Sequence, residues 1–203
     1  MRTKWQLYTT PPSFVLGFHG CDSKVGEAIL SGKVPHLNKS DNAYDWLGTG
    51  IYFWEANPQR AFDFASHVAN GGKVSQGKIK EPFVLGAIID LRLCFNLVDS
   101  DALQELKDGS NIALSAARAV GLGLDNKGVD LNLRFLDRAA IEAVHEFRKG
   151  DNSPEYDTVR AAFWEGQELY PNAGFREKNH IQLCVRNTDC IKGYFRPIQK
   201  AAE

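Results

Sequence analysis

An α+β fold built mainly from antiparallel strands is what this sequence predicts, on three grounds. Short apolar runs of strand length recur along the chain, bounded by Gly, Pro, Asn and Asp. Amphipathic helical patterns fall between some of these runs and crowd the middle of the chain. The two glycine-rich phosphate loops of doubly wound nucleotide folds, G-x-G-x-x-G and G-x-x-x-x-G-K-S/T, do not occur, so a parallel architecture of that kind is disfavoured.

Each element has its own warrant. Residues 13–18 form an apolar run after Pro11-Pro12 and read as a buried strand. Residues 24–31 carry Val25, Ala28 and Ile29 at helical spacing, with Asp22 or Ser23 to cap the start and Gly32 to close the end. The polar stretch 33–47 is a loop, and 51–54 is the next strand. Pro58 opens a helix whose apolar face is Ala61, Phe62, Phe64, Ala65 and Val68. After a Gly/Lys loop at 71–81 comes a strand at 83–90, and 91–98 either continues the sheet or turns back along it. Within 100–150 the helical candidates are 101–107, 112–120 and 133–147, interrupted by Gly121-Leu122-Gly123 and Asp125-Asn126. Residues 156–163 fit strand or helix. Two short strands, 181–186 and 191–195, flank the turn Asn187-Thr188-Asp189.

A length of 203 residues suits a single domain, with 100–150 as a helical insertion. The 43% apolar and 24% charged content is that of a globular chain. A net charge of −1 gives no global argument for a nucleic-acid partner, although a local basic patch is compatible with it. Cysteines 21, 94, 184 and 190 are scattered without a C-x-x-C pair, which reads as buried reduced thiols rather than disulfides or a metal site. Met1-Arg2-Thr3-Lys4-Trp5 does not open a leader, and no apolar run has membrane-spanning length. The expectation is a soluble, cytoplasmic protein with no membrane partner and no metal.

Chemistry gathers at Gly17-Phe18-His19-Gly20 and Gly48-Thr49-Gly50-Ile51-Tyr52-Phe53. Either alone reads as a strand end or a buried strand after a tight turn. In this order they can build two walls of a nicotinamide slot, which makes NAD the first ligand to test. Cleaving nicotinamide from its ribose passes through an oxocarbenium-like state, and the leaving group is already cationic. The protein must grip the carboxamide, stack the ring and hold a ribose hydroxyl. A glycine backbone suits the first task, a tyrosine face the second, and a histidine with a Glu or Gln the third.

Phe18-His19-Gly20 and Gly50-Ile51-Tyr52-Phe53 resemble the first two signatures of the ADP-ribosyltransferases of the diphtheria-toxin and poly(ADP-ribose)-polymerase branch, the H-Y-E group. Residues 57–69 resemble the helix that follows, and 179–195 the late strands, with Gln182 where that family has its glutamate. The resemblance implies split antiparallel sheets around an NAD cleft. It assigns His19 to a ribose of NAD, Gly20 to the carboxamide, Tyr52 with Phe53 to the ring, and Gln182 to the nicotinamide-ribose hydroxyl. The second stacking aromatic falls on Asp63, flanked by Phe62 and Phe64, either of which a one-residue shift brings into place. The wider phrasing is similar to small bacterial stand-alone transferases of toxin–antitoxin and phage-defence systems. Expected partners are therefore NAD, a macromolecular acceptor (protein, RNA or DNA) and an antitoxin protein.

Gln182 cannot accept a proton, so the acceptor must be nucleophilic already or be activated by Glu177, Glu168 or His180. His36, His67 and His145 lack motif company, and Trp46 is a core plug or a lid. Arg60, Arg160, Lys178, Arg186, Lys192 and Arg196 form either a basic patch near the site or a mixed-sign surface. Residues 165–175 fall, by resemblance, where acceptor-recognition loops lie, with Tyr170 and Phe175 as contacts. The functions to separate are mono-ADP-ribosyl transfer, NAD hydrolysis, and non-catalytic binding of NAD or ADP-ribose. RNA 2'-phosphotransfer on the same fold needs an arginine-rich site that the sequence does not display.

Overall fold

The computed structural model describes residues 14–72 and 78–199. The Pro11-Pro12 boundary, Ser13, the first residues of the chain and part of the 71–81 loop lie outside the described residues.

Strand β1 (Phe14–Asp22) opens the fold and runs directly into helix α1 (Ser23–Leu30). Asp22 makes that corner: its carboxylate accepts from the Lys24 N–H at 3.1 Å, and Gly32 beyond the helix takes φ +74°. Strand β2 (Ile51–Glu55) leads to helix α2 (Pro58–Ala69), whose first turn is set by Pro58 and by the Asn57 side chain accepting from Arg60 N–H. Strands β3 (Pro82–Asp90) and β4 (Cys94–Asn96) follow, then helices α3 (Ser100–Ala119) and α4 (Phe135–Gly150). Strands β5 (Thr158–Phe163), β6 (His180–Val185) and β7 (Ile191–Phe195) complete the fold.

All seven strands join one sheet in the order β4-β5-β6-β2-β1-β3-β7. The expected two sheets are thus corrected to one, for a specific reason. β1 and β2 are held by two residue pairs, Gly17↔Glu55 and Phe18↔Trp54, and by Ala56 N–H donating to Leu16 C=O. β1 then stays with β3 as far as Asp22↔Pro82, while β2 follows β6 through Ile51↔Val185. The sheet is continuous at this seam and open beyond it.

Strand alternation gives the sheet two cores. Ile51, Phe53, Leu85, Ile89, Leu183 and Val185 face Ile29 of α1 and Leu37. On the other face, Tyr52, Val159 and Cys184 lie under Ile141 and Val144 of α4, and Phe18 and Trp54 under Ala61 of α2.

Two expectations change in the middle of the chain. The segments 101–107 and 112–120 are one helix, α3, because Gly109 lies against the Ala140 carbonyl where α3 crosses α4; an added Cβ would approach it to 2.5 Å. The 156–163 segment is a strand, and it pairs with β4 in parallel, the one such pair in the sheet. Parallel neighbours need a long crossover, and α3 with α4 supplies it.

Candidate functional site

His19 and Gly20 sit on β1 just past the seam. Because Leu16 C=O bonds across to the end of β2, alternation turns the N–H and C=O of Gly20 to the same edge. The β1–β2 register has stopped by then, at Phe18↔Trp54, so no ladder partner remains there for Gly20. The glycine itself is demanded by packing: a Cβ would meet the Ala61 carbonyl of α2 at 2.1 Å. Sequence reasoning gave it to ligand approach; helix approach requires it first.

The His19 ring bridges the seam from β1 to β2. Its Nδ1 lies 2.7 Å from the Tyr52 carbonyl, which can only accept, so Nδ1 carries the proton and Nε2 keeps a lone pair. Burial holds the imidazole pKa below its ordinary value, against the opposing pull of that carbonyl. The ring also stands edge-on to Phe53, centroids 5.9 Å apart.

Tyr52 is placed differently from the expected stacking face. Its hydroxyl donates to Gly48 C=O at 2.6 Å and accepts from Leu47 N–H at 2.9 Å, and its ring packs with the cluster of Leu47, Phe95 and Ile141. Burial drives its pKa strongly upward, so it stays a phenol. His19 and Tyr52 therefore meet through a backbone carbonyl, with their side chains rooted on opposite faces of the sheet. Phe53 is fully buried in the core, so it backs the site and its side chain does not line it. Of the two aromatics flanking Asp63, Phe64 packs on Trp54 at 5.2 Å, whereas Phe62 is 41% exposed on the outer side of α2.

Gln182 is half-buried on β6, level with Trp54 on β2 and Ala161 on β5, and shares the sheet face of Tyr52 and Trp54. Around it stands a cluster that sequence reasoning saw only in pieces. Trp54 and His180 lie 6.5 Å apart, Phe163 is 5.7 Å from His180, and Trp46 is stacked 6.4 Å away. Trp46 is a plug here, its indole N–H bonded to the Asn132 carbonyl at 2.8 Å. The Arg60 guanidinium lies 5.7 Å from the Trp54 ring and pairs with Glu165 at 2.6 Å. The available signal for Trp54 was alternation, since it stands two residues after Tyr52 and must share its face.

The expected basic patch resolves into pairs. Arg60 meets Glu165, Arg160 meets Glu55, Arg186 meets Glu142, Lys192 meets Asp90 and Arg196 meets Glu27. These are dispersed over the molecule, which is the mixed-sign alternative. Glu177 accepts from Gln167 N–H and Glu168 from Asn172 N–H, so both tie down the loop before β6. Tyr170 and Phe175 on that loop are exposed. His36 bonds the Tyr194 hydroxyl, and His145 is buried against Tyr156. An open hollow of about 430 Å³ lies elsewhere, lined by Asp41, Leu124, Phe135, Arg138 and Glu142, and contains none of the expected site residues.

Among the described residues, no group of three or more His, Cys, Asp or Glu is gathered to hold a metal ion, and no helix is long and apolar enough to cross a membrane. Comparison with protein-family models, with curated proteins and with solved structures gave no match to this chain.

Proposed function

We propose that this chain is an NAD-dependent mono-ADP-ribosyltransferase that releases nicotinamide and passes ADP-ribose to a macromolecular acceptor, in the manner of a bacterial toxin or phage-defence effector. The observation that carries this is the open end of the β1–β2 seam, where the unpaired backbone edge of Gly20 faces Tyr52 with His19 between them. A primary carboxamide needs one acceptor and one donor, and a strand residue turned to an empty edge offers both in one plane. His19, with its Nδ1 proton committed to the Tyr52 carbonyl, offers Nε2 to a ribose hydroxyl. Gln182, beyond Trp54 on the same sheet, holds the second ribose through its amide. An antitoxin partner belongs to the same proposal.

Incubation with NAD labelled in its adenylate half tests it. Label on macromolecule is expected, and it should vanish in His19→Ala. Free ADP-ribose alone identifies a glycohydrolase, with water as acceptor; Gln182 in place of a glutamate favours instead the non-catalytic reading. Unchanged NAD with saturable binding identifies a non-catalytic module.

A further inference from the structure

Beside Gln182 the protein leaves a set of polar atoms whose complement names a chemical group. His180 and Trp54 are 8% and 7% exposed. His180 Nδ1 lies 2.7 Å from the Lys178 carbonyl and therefore donates to it, which leaves a lone pair on Nε2. That Nε2, the Trp54 indole N–H and the Arg60 Nε–H are all buried without a partner among the described residues. The Trp54 ring lies 6.5 Å from His180 and 5.7 Å from the Arg60 guanidinium, so the three are neighbours, and leaving each unpaired costs on the order of 1–3 kcal/mol.

A guest for all three must give one hydrogen and accept two. A hydroxyl does this with its one O–H and two lone pairs; a carboxamide does too, but that of nicotinamide is given to Gly20 in the reading above. A carboxylate has no hydrogen for His180, and an ammonium has no lone pair for Trp54 or Arg60. Charge agrees with a neutral guest. The charged groups around His180 are Arg60 from α2 and Glu165 from the loop before β6, already joined at 2.6 Å, with Arg134 beyond Trp46, 5.1 Å over its outer ring. Burial lowers the pKa of His180, so it is neutral near pH 7.

Resting on the transferase reading above, we infer that the nucleophile accepted by this site is a hydroxyl, held by Trp54 and Arg60, and that His180 takes its proton. The C1'–N bond to nicotinamide breaks with its electron pair going to the ring nitrogen. The hydroxyl oxygen turns one lone pair away from its donor, Trp54 or Arg60, to bond C1', and its proton passes to His180 Nε2, later to be lost to solvent. Gln182, two residues further along the same face and directly across from Trp54, positions the sugar beside it. Glu177 and Glu168 are committed to the loop backbone, whereas His180 has an unspent lone pair. The hydroxyl can come from an acceptor alcohol or from water.

The decisive variant is His180→Asn, which keeps a donor for the Lys178 carbonyl and cannot take the proton. Turnover should fall about 100-fold or more, as for loss of a general base, with the Michaelis constant for NAD changed by less than about twofold. The acid limb of the wild-type kcat–pH profile should disappear with it. An alcohol source gives an ADP-ribosyl linkage stable to neutral hydroxylamine, and water gives free ADP-ribose. A hydroxylamine-labile ester, or an unchanged pH profile in His180→Asn, overturns the assignment. A readout independent of turnover is the NMR resonance of the Trp54 indole N–H in the full chain, with the other indoles as internal references. Methanol should shift it while methylammonium and acetate do not. No selective shift with methanol overturns the hydroxyl site. A selective shift in a protein that leaves NAD intact removes the transferase reading and keeps the site.

Discussion

Gly20 carries two demands at one atom. On one side its hydrogen faces the Ala61 carbonyl, and on the other its backbone edge faces the open seam. Gly20→Ala should lift α2 from β1 and cost roughly 1–3 kcal/mol, the usual range for forcing a methyl into a packed interface. A lowered urea midpoint together with weakened NAD binding is the expected pair of results. Unchanged stability would mean that the helix yields without cost. Gln182→Glu probes the neighbouring strand. A carboxylate polarises a ribose hydroxyl more strongly than an amide does, so NAD cleavage should rise about tenfold or more if this side chain faces the sugar. A fall, with folding intact by circular dichroism, would remove Gln182 from the ribose.

The two long helices act as one element with the strand they bring. α3 and α4 are the crossover that allows β4 and β5 to lie parallel, so helices and edge strand stand or fall together. Their contact turns on Gly109, where an added Cβ would come within 2.5 Å of the Ala140 carbonyl and 2.6 Å of Val144. Gly109→Val should force α3 away from α4. In hydrogen exchange α3 should then lose its protection first, with β1, β2 and β6 still protected. Uniform loss across the sheet would show that the helices are not a separate stability unit. At this scale the sequence was most readable where local rules coincide. Asp22 and Pro58 marked helix starts and Gly32 a helix end. The gap between 101–107 and 112–120 holds Gly109, a residue that weakens a helix, and only the partner helix reveals why it is tolerated. The parallel β4–β5 pair was not legible at all, since no local pattern distinguishes a three-residue edge strand from a turn.

Across the whole molecule, stability should depend on acid. His145 on α4 is 1% exposed and packs edge-on to Tyr156, with both ring nitrogens unpartnered among the described residues, and burial pushes its pKa down to about 4. The unfolded chain takes up this proton as pH falls through 6.5, the folded protein only near 4. Its contribution is therefore intact above 6.5 and is lost progressively as pH drops from 6.5 to 4, by up to roughly 3 kcal/mol. His19 and His180, also lowered by burial, add slope of the same sign. Urea midpoints at pH 7 and pH 4.5 should differ clearly in the wild type and less in His145→Leu. An equal difference in both would acquit His145. The same scale explains what could be read of the site. His19, Gly20 and Tyr52 stand out by adjacency in sequence, and the fold joins the His19 ring to the Tyr52 carbonyl. The roles of Phe53 and Tyr52 were misjudged because strand alternation decides which way a ring points, and the seam that sets the alternation is a property of the sheet.

That seam has a mechanical corollary. With so few rungs between Gly17-Phe18 and Trp54-Glu55, the sheet resembles two panels sharing a short hinge pin, and Phe18 and Trp54 are the knuckles. Ile51, Phe53, Leu183 and Val185 on one panel share a core with Leu85 and Ile89 on the other, so a molecule wedged into the throat of the seam works against that core as well as the two rungs. A spectroscopic ruler stretched from Asn96 to Lys192 would lengthen if the panels part and stay constant if the shared core keeps them together.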